Sequence, residues 1–263
     1  MKHPVLLFIV TSAILLSFSK PDLTFSSGNF EDYWDSYYKW GGSWGSISNS
    51  LKRDTILIDA SRDGGTWWYP QQEATGFSSD RNHQGKYLAD YLKSQGYKIL
   101  ELHRGVTITD DLLSRYRFVI RAGCFGSYTP DELSAYSRFL SRDVSLLLLQ
   151  DHLANNSNDE LCRLLNLNFK GLISGTVRNF TPHPITEYAS LNFIAGSYLD
   201  QPDTSKINLL GYVTGSQTND TASYGVLGIR NHPTARIFFI GDVNGLEQVP
   251  QPLTRNLFKW LSE

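Results

Sequence analysis

The residues best equipped for chemistry are Gln150, Asp151 and His152, which follow directly on the apolar run Val144–Leu149. A carboxylate beside an imidazole suits general acid–base work or metal ligation. The alternative is a capped strand end, with Asp151 accepting backbone N–H groups and His152 in solvent. Neighbouring residues on a strand point to opposite sides, which favours that second reading. Cys124 stands in Gly123-Cys-Phe-Gly126. It is either a thiolate nucleophile, if a helix start depresses its pKa, or a small apolar filler. Asp59, Asp63 and Asp242 each end or follow an apolar run, so they are expected near the same crevice. His83 and Lys86 open a helix and could hold an anion there.

Binding rather than bond-breaking is the other chemistry on offer. The stretch Ser61-Arg-Asp-Gly-Gly-Thr-Trp-Trp-Tyr-Pro70 combines paired glycines with three consecutive aromatics. Asp63, Gly64, Gly65, Trp67, Trp68 and Tyr69, with Gln150, Asp151 and His152, are the expected ligand-binding set. Trp and Tyr faces suit the apolar side of a sugar ring. They suit equally a small satellite core with Tyr33, Trp34, Tyr37, Tyr38, Trp40 and Trp44. The stretch has neither G-x-G-x-x-G nor G-K-[ST], so dinucleotide and phosphate-loop readings are excluded. No metal site and no cofactor is assigned.

The elements that must position these residues alternate. Thr55–Ala60 reads as a first strand, Asp80–Gln95 as a helix with Tyr87, Leu88, Tyr91 and Leu92 on its apolar face, and Lys98–Leu102 as a second strand. Thr109 caps a short helix, Phe118–Ala122 is a third strand, and Thr129-Pro-Asp-Glu132 is a capping box with proline in the first turn. Val144–Leu149, apolar nearly throughout, is a strand buried on both faces. Ser157 and Glu160 pair as a second capping box for a helix over Asp159–Asn168. Residues 170–222 loosen into edge hairpins or an insertion. Tyr224–Arg230 and Arg236–Ile240 are strands joined by Asn231-His-Pro-Thr234, and Leu253, Leu257, Trp260 and Leu261 form the apolar face of a closing helix. Strand and helix in alternation give an α/β fold: a doubly wound, mainly parallel, flavodoxin-like sheet with helices on both faces. Ligands of such sheets bind at the carboxyl ends of the strands.

The chain has 263 residues, is 41% hydrophobic and carries a net charge of −2. With no basic run, nucleic acid is excluded as a partner. Residues 1–19 place Lys2 and His3 before the 14 apolar or small residues Val5–Phe18, with Ser17 and Ser19 as a cleavage pattern. That is a secretory signal peptide, or else an uncleaved anchor. The expected location is secreted or periplasmic, with membrane contact only through an uncleaved segment. Residues 20–53 form an aromatic, Gly- and Ser-rich segment, and 54–263 the α/β domain. Cys124 and Cys162 are the only cysteines, and their spacing does not say whether they pair.

Thr129-Pro-Asp-Glu132, Phe139-Leu140 leading into Leu146–Leu149, His183-Pro-Ile-Thr186, and Ile237-Phe-Phe-Ile-Gly-Asp242 with Phe258-Lys-Trp-Leu261 resemble the class I glutamine amidotransferase-like superfamily over about residues 54–262. In its catalytic members a cysteine sits on a glycine-flanked turn after the strand matching 144–149, and works with a histidine and an acid from a late His-Pro-Glu motif. Here that turn reads Gln150-Asp151-His152-Leu153. His183-Pro184 continues with Ile185, and His232-Pro233 with Thr234. The resemblance thus implies the fold, the place of the site, and the superfamily's non-catalytic branch, whose members serve in sugar-linked or assembly roles. The expected function is an exported module without glutaminase activity that binds a small polar ligand, carbohydrate above all. The alternatives are a hydrolase using Asp151 and His152, with His183 or a metal, and an envelope domain with a protein partner.

Overall fold

In the computed structural model the described residues are 52–62, 85–102, 105–123, 126–151, 160–214, 222–246 and 251–263. The chain divides into two units, 1–48 and 49–263, and every described residue belongs to the second.

Eight strands form one sheet in the order β2-β1-β3-β4-β10-β9-β8-β6. The strands are β1 (Lys52–Asp59), β2 (Lys98–Leu102), β3 (Tyr116–Arg121), β4 (Ser145–Leu149), β6 (Asn179–Phe180), β8 (Ile207–Thr214), β9 (Ser223–Arg230) and β10 (Arg236–Ile240). Five of them, β2, β1, β3, β4 and β10, run parallel. The strands beyond β10 are antiparallel. β5 (Phe169–Val177) and β7 (Leu191–Leu199) make a separate antiparallel pair. The described residues of 170–222 thus supply the hairpins the sequence suggests: one stands apart, and two strands extend the main sheet.

Alternation along each parallel strand splits the core in two. Ile56, Ile58, Phe118, Ile120, Leu147, Leu149, Phe238 and Ile240 face α1 (Lys86–Ser94) and α5 (Pro252–Ser262). Leu57, Val119, Leu146, Leu148, Ile237 and Phe239 face α2 (Asp110–Ser114), α3 (Pro130–Leu140) and α4 (Glu160–Leu164). Both faces are covered, which is why β4 is buried at every position, is apolar from Leu146 to Leu149 and sits inside the sheet.

Local signals set the helix ends. Thr129 Oγ1 accepts from Glu132 N, and Glu132 returns a carboxylate to Thr129 N, so the capping box is complete. Thr109 Oγ1 accepts from Leu112 N. α4 is shorter than the expected helix over Asp159–Asn168. Asn166 turns to φ +56, and Leu167 N donates back to Cys162 O, which closes the helix at Leu164, four residues before the expected end. Ser157 lies outside the described residues.

Candidate functional site

The carboxyl ends of the parallel strands carry a row of polar residues on an otherwise apolar sheet. Asp59 ends β1, Arg121 ends β3, and Gln150 and Asp151 follow β4; all four are buried. Asp59 and Arg121 are register partners on adjacent strands. Continuing the strand alternation, Asp59, Arg121 and Gln150 project toward α3 and α4.

Asp59 is a satisfied carboxylate. Its Oδ1 accepts from Ser61 N (3.0 Å) and Ser61 Oγ (2.5 Å), and its Oδ2 from the hydroxyls of Tyr128 (2.8 Å) and Tyr136 (2.5 Å). The two tyrosine rings meet edge to face at 5.7 Å. Burial, and next the charge of Asp59, push the Tyr136 phenol well above its ordinary range, so it remains a donor. Arg121 donates to Gln150 Oε1 at 3.4 Å and lies 3.7 Å from Cys162 Sγ, while Gln150 Nε2 lies 3.5 Å from the same sulfur. Cys162 is thus in the core, beside a buried guanidinium.

A second network holds the base of the stretch that follows β1. Arg62 Nη2 donates to both oxygens of Glu132 (2.7 and 2.8 Å), Nε to Ser127 O (2.9 Å) and Nη1 to Val106 O (3.1 Å). Its guanidinium lies 5.1 Å from the centre of the Tyr128 ring. Glu132 also accepts from Ile108 N at 2.9 Å. Burial raises the Glu132 carboxyl, but the N–H groups of Thr129 and Ile108 and the Arg62 charge outweigh it, and the group ends below its usual range.

Asp242 faces the other side of the sheet. Its Oδ2 accepts from Ile194 N at 2.7 Å, and Ser197 N donates to Gly241 O at 2.7 Å, so β7 is fastened across the end of β10. Glycine is required at this crossing: a Cβ on Gly196 would lie 2.5 Å from Gly241 O and 2.7 Å from Asp242 Cβ.

These positions correct one expectation. Asp59 and Asp242 do not converge, because strand alternation sends them to opposite faces, and both are engaged in holding structure. The late histidines do not join them either. His183 Nδ1 accepts from Ile185 N (3.2 Å), and its ring packs edge-on to Trp260 at 6.3 Å. The next residue, Leu261, accepts from Ser145 Oγ at the start of β4 (2.5 Å), so this is the amino end of the sheet. His232 Nδ1 faces Thr234 N and Ala235 N in the turn before β10, again at the amino end. Burial depresses the pKa of both imidazoles.

Gln150 and Asp151 remain at the expected place, the end of the middle parallel strands, with Asp151 only 4% exposed. Asp63, Gly64, Gly65, Trp67, Trp68, Tyr69, Cys124, His152, His83 and residues 33–44 lie outside the described residues. Among the described residues no group of three His, Cys, Asp or Glu is placed to hold a metal, and no helix is long and apolar enough to cross a membrane. The sequence reading missed Arg121 and Arg62, and the long-range bonds of Glu132 and Tyr136. The available hint for the first was a charge closing the apolar run Phe118–Ile120.

No family model and no curated protein matches the sequence. Solved structures do match in fold. A putative ThuA-like protein from Bacteroides uniformis superposes with a TM-score of 0.53 at 14% identity, over 82% of this chain and 95% of that one. The mmIFT52 N-terminal domain does so with 0.54 at 14%, over 79% and 97%. Agd3, described as a novel carbohydrate deacetylase, gives 0.55 at 10%, over 80% of this chain and 32% of that one. At these identities the likeness establishes architecture alone: the flavodoxin-like α/β fold shared with ThuA-like proteins.

Proposed function

We propose that this chain is a non-catalytic member of the amidotransferase-like group, binding a polar ligand at the carboxyl-end crevice of its sheet. One observation carries the reading. Where catalytic relatives place a cysteine beyond the middle strand, Gln150 is buried and bonded to Arg121 and Cys162. A side chain held in that way is a strut and cannot attack a carbonyl. Asp59 and Glu132, the other buried acids on that face, are saturated by hydrogen bonds and have no capacity left for proton transfer.

Carbohydrate is the ligand class this reading favours. Trp67, Trp68 and Tyr69 follow the Arg62 anchor in sequence, and flat aromatic faces recognise the C–H side of pyranoses. Agd3, a fold neighbour, is named as a carbohydrate deacetylase. Residues 1–19 direct the chain out of the cytoplasm in the same reading. Isothermal titration against a glycan panel, repeated with Trp67→Ala and Trp68→Ala, tests it. Loss of one binding site from the isotherm in both variants is expected, and an isotherm untouched by either refutes the crevice.

A hydrolase is the second reading, and one observation favours it. Leu149 and Ile240 are register partners, so Asp151 and Asp242 leave adjacent central strands as two buried carboxylates. A screen of ester, amide and glycoside substrates with Asp151→Ala as control decides between the two. Turnover that disappears in the variant establishes the enzyme, and silence disposes of it.

A further inference from the structure

A second groove lies at the far end of the molecule and has no part in the crevice. Phe180, Pro182, His183, Pro184, Thr186 and Glu187 line it, with a volume of about 370 Å³. Because His183 packs on Trp260 and the adjacent Leu261 bonds Ser145, the groove sits toward the amino end of the sheet. Its frame is fixed. Thr186 Oγ1 donates to Thr181 O (2.7 Å), and Asn256 Nδ2 bridges from α5 to Glu187 O (3.0 Å).

The lining has a definite chemistry. Phe180 and the two proline rings offer flat apolar surface. His183 Nδ1 accepts a backbone N–H, which places the ring proton on Nε2 and makes that nitrogen a donor. Glu187, exposed, is an acceptor with a negative charge. No Lys or Arg is among the described lining residues. Tyr188 follows at 83% exposure with φ +57. Its left-handed backbone belongs to the turn that Ala189 N closes on Thr186 O (3.1 Å), which fixes the rim next to Glu187.

We propose that this groove binds a hexopyranose, neutral or amino-substituted, with its C–H face on Phe180 and the rings of Pro182 and Pro184. A ring hydroxyl then accepts from His183 Nε2, and a hydroxyl or ammonium donates to Glu187. Carboxylated sugars are rejected, because Glu187 repels them and no cation in the lining compensates.

Saturation-transfer NMR on the full chain with glucose, glucosamine and glucuronate tests this. Glucosamine is expected to bind best and glucuronate at least about tenfold more weakly, from the change of sign opposite Glu187. Glu187→Gln should remove that preference while leaving glucose within about threefold, since a hydroxyl needs no charge opposite it. Glucuronate binding as well as glucosamine, an unchanged ranking in Glu187→Gln, or no transfer from any sugar each overturns the proposal. Sugar binding abolished by Trp67→Ala with Trp68→Ala also overturns it, and assigns the binding to the carboxyl-end crevice instead.

Discussion

Asp59→Asn separates a structural acid from a working one. The carboxylate receives four bonds, from Ser61 N, Ser61 Oγ, Tyr128 and Tyr136. An amide keeps one acceptor oxygen, so two of these survive as neutral bonds, each weaker by about 1 kcal/mol than its charged counterpart. The other two meet an NH2 group. Tyr136 is fully buried, and its hydroxyl proton then points at a donor, which adds about 1–3 kcal/mol. The variant should therefore lose about 3 kcal/mol. With a urea slope of about 3 kcal/mol/M for a unit of this size, the midpoint falls by about 1 M. Alkaline behaviour supplies an internal check. Because the Tyr136 pKa is raised in the fold, first by burial and then by Asp59, the unfolded chain sheds that proton near pH 10 while the native state keeps it. Stability is complete below about pH 10 and falls as pH climbs above it, and Asp59→Asn should make that fall shallower. A midpoint shift under about 0.3 M, or a more stable variant, refutes the reasoning. Catalytic carboxylates tend to give the latter result, since sites kept for activity are held at a cost to stability.

Arg62→Met should cost about 3 kcal/mol by leaving Glu132 charged and buried, and Arg62→Lys should restore little, because an ammonium cannot span both oxygens; denaturant midpoints measure both. Glu132 titrates below its ordinary value, so its contribution is present above about pH 4.3 and is lost as pH falls through the lower native value; Glu132→Gln should flatten acid unfolding followed by circular dichroism. His183, depressed by burial, contributes stability above about pH 6.5 that drains away as pH falls, and His183→Gln should remove that slope between about pH 7 and 5. Gly241→Ala drives a methyl group into Ser197 O and should cost about 3 kcal/mol or more, releasing the β5–β7 hairpin first; faster amide exchange in β7 than in β4 is the expected sign.

What the sequence made legible follows from what local chemistry can encode. Val144–Leu149 showed itself because burial on both faces demands apolar residues almost throughout, with Ser145 tolerated only because its hydroxyl is bonded, and the Thr129 and Thr109 caps showed themselves because they bind within three residues. The polar row could not show itself in that way. Asp59 to Tyr136 spans 77 residues, Arg62 to Glu132 spans 70, and Arg121 to Cys162 spans 41. Each partner is ordinary in its own neighbourhood: Glu132 reads only as half of a capping box, and it serves as that while also closing on Arg62 and Ile108. The antiparallel part was legible as edge hairpins but not in its strand bounds. β5 and β7 carry exposed Leu172 and Ile194 alongside buried Ile173 and Phe193, so the period that marks a strand is broken where the hairpin crosses β10. Acids at strand ends looked like a gathering of reactive groups because type and position along the chain were visible, while the side of the sheet each one faced was not. That side is fixed by counting residues back to the core in twos, and it separates Asp59, locked under α3, from Asp242, locked under β7. The carboxyl end of this sheet is thus held by acids that a search for reactive pairs would have selected first.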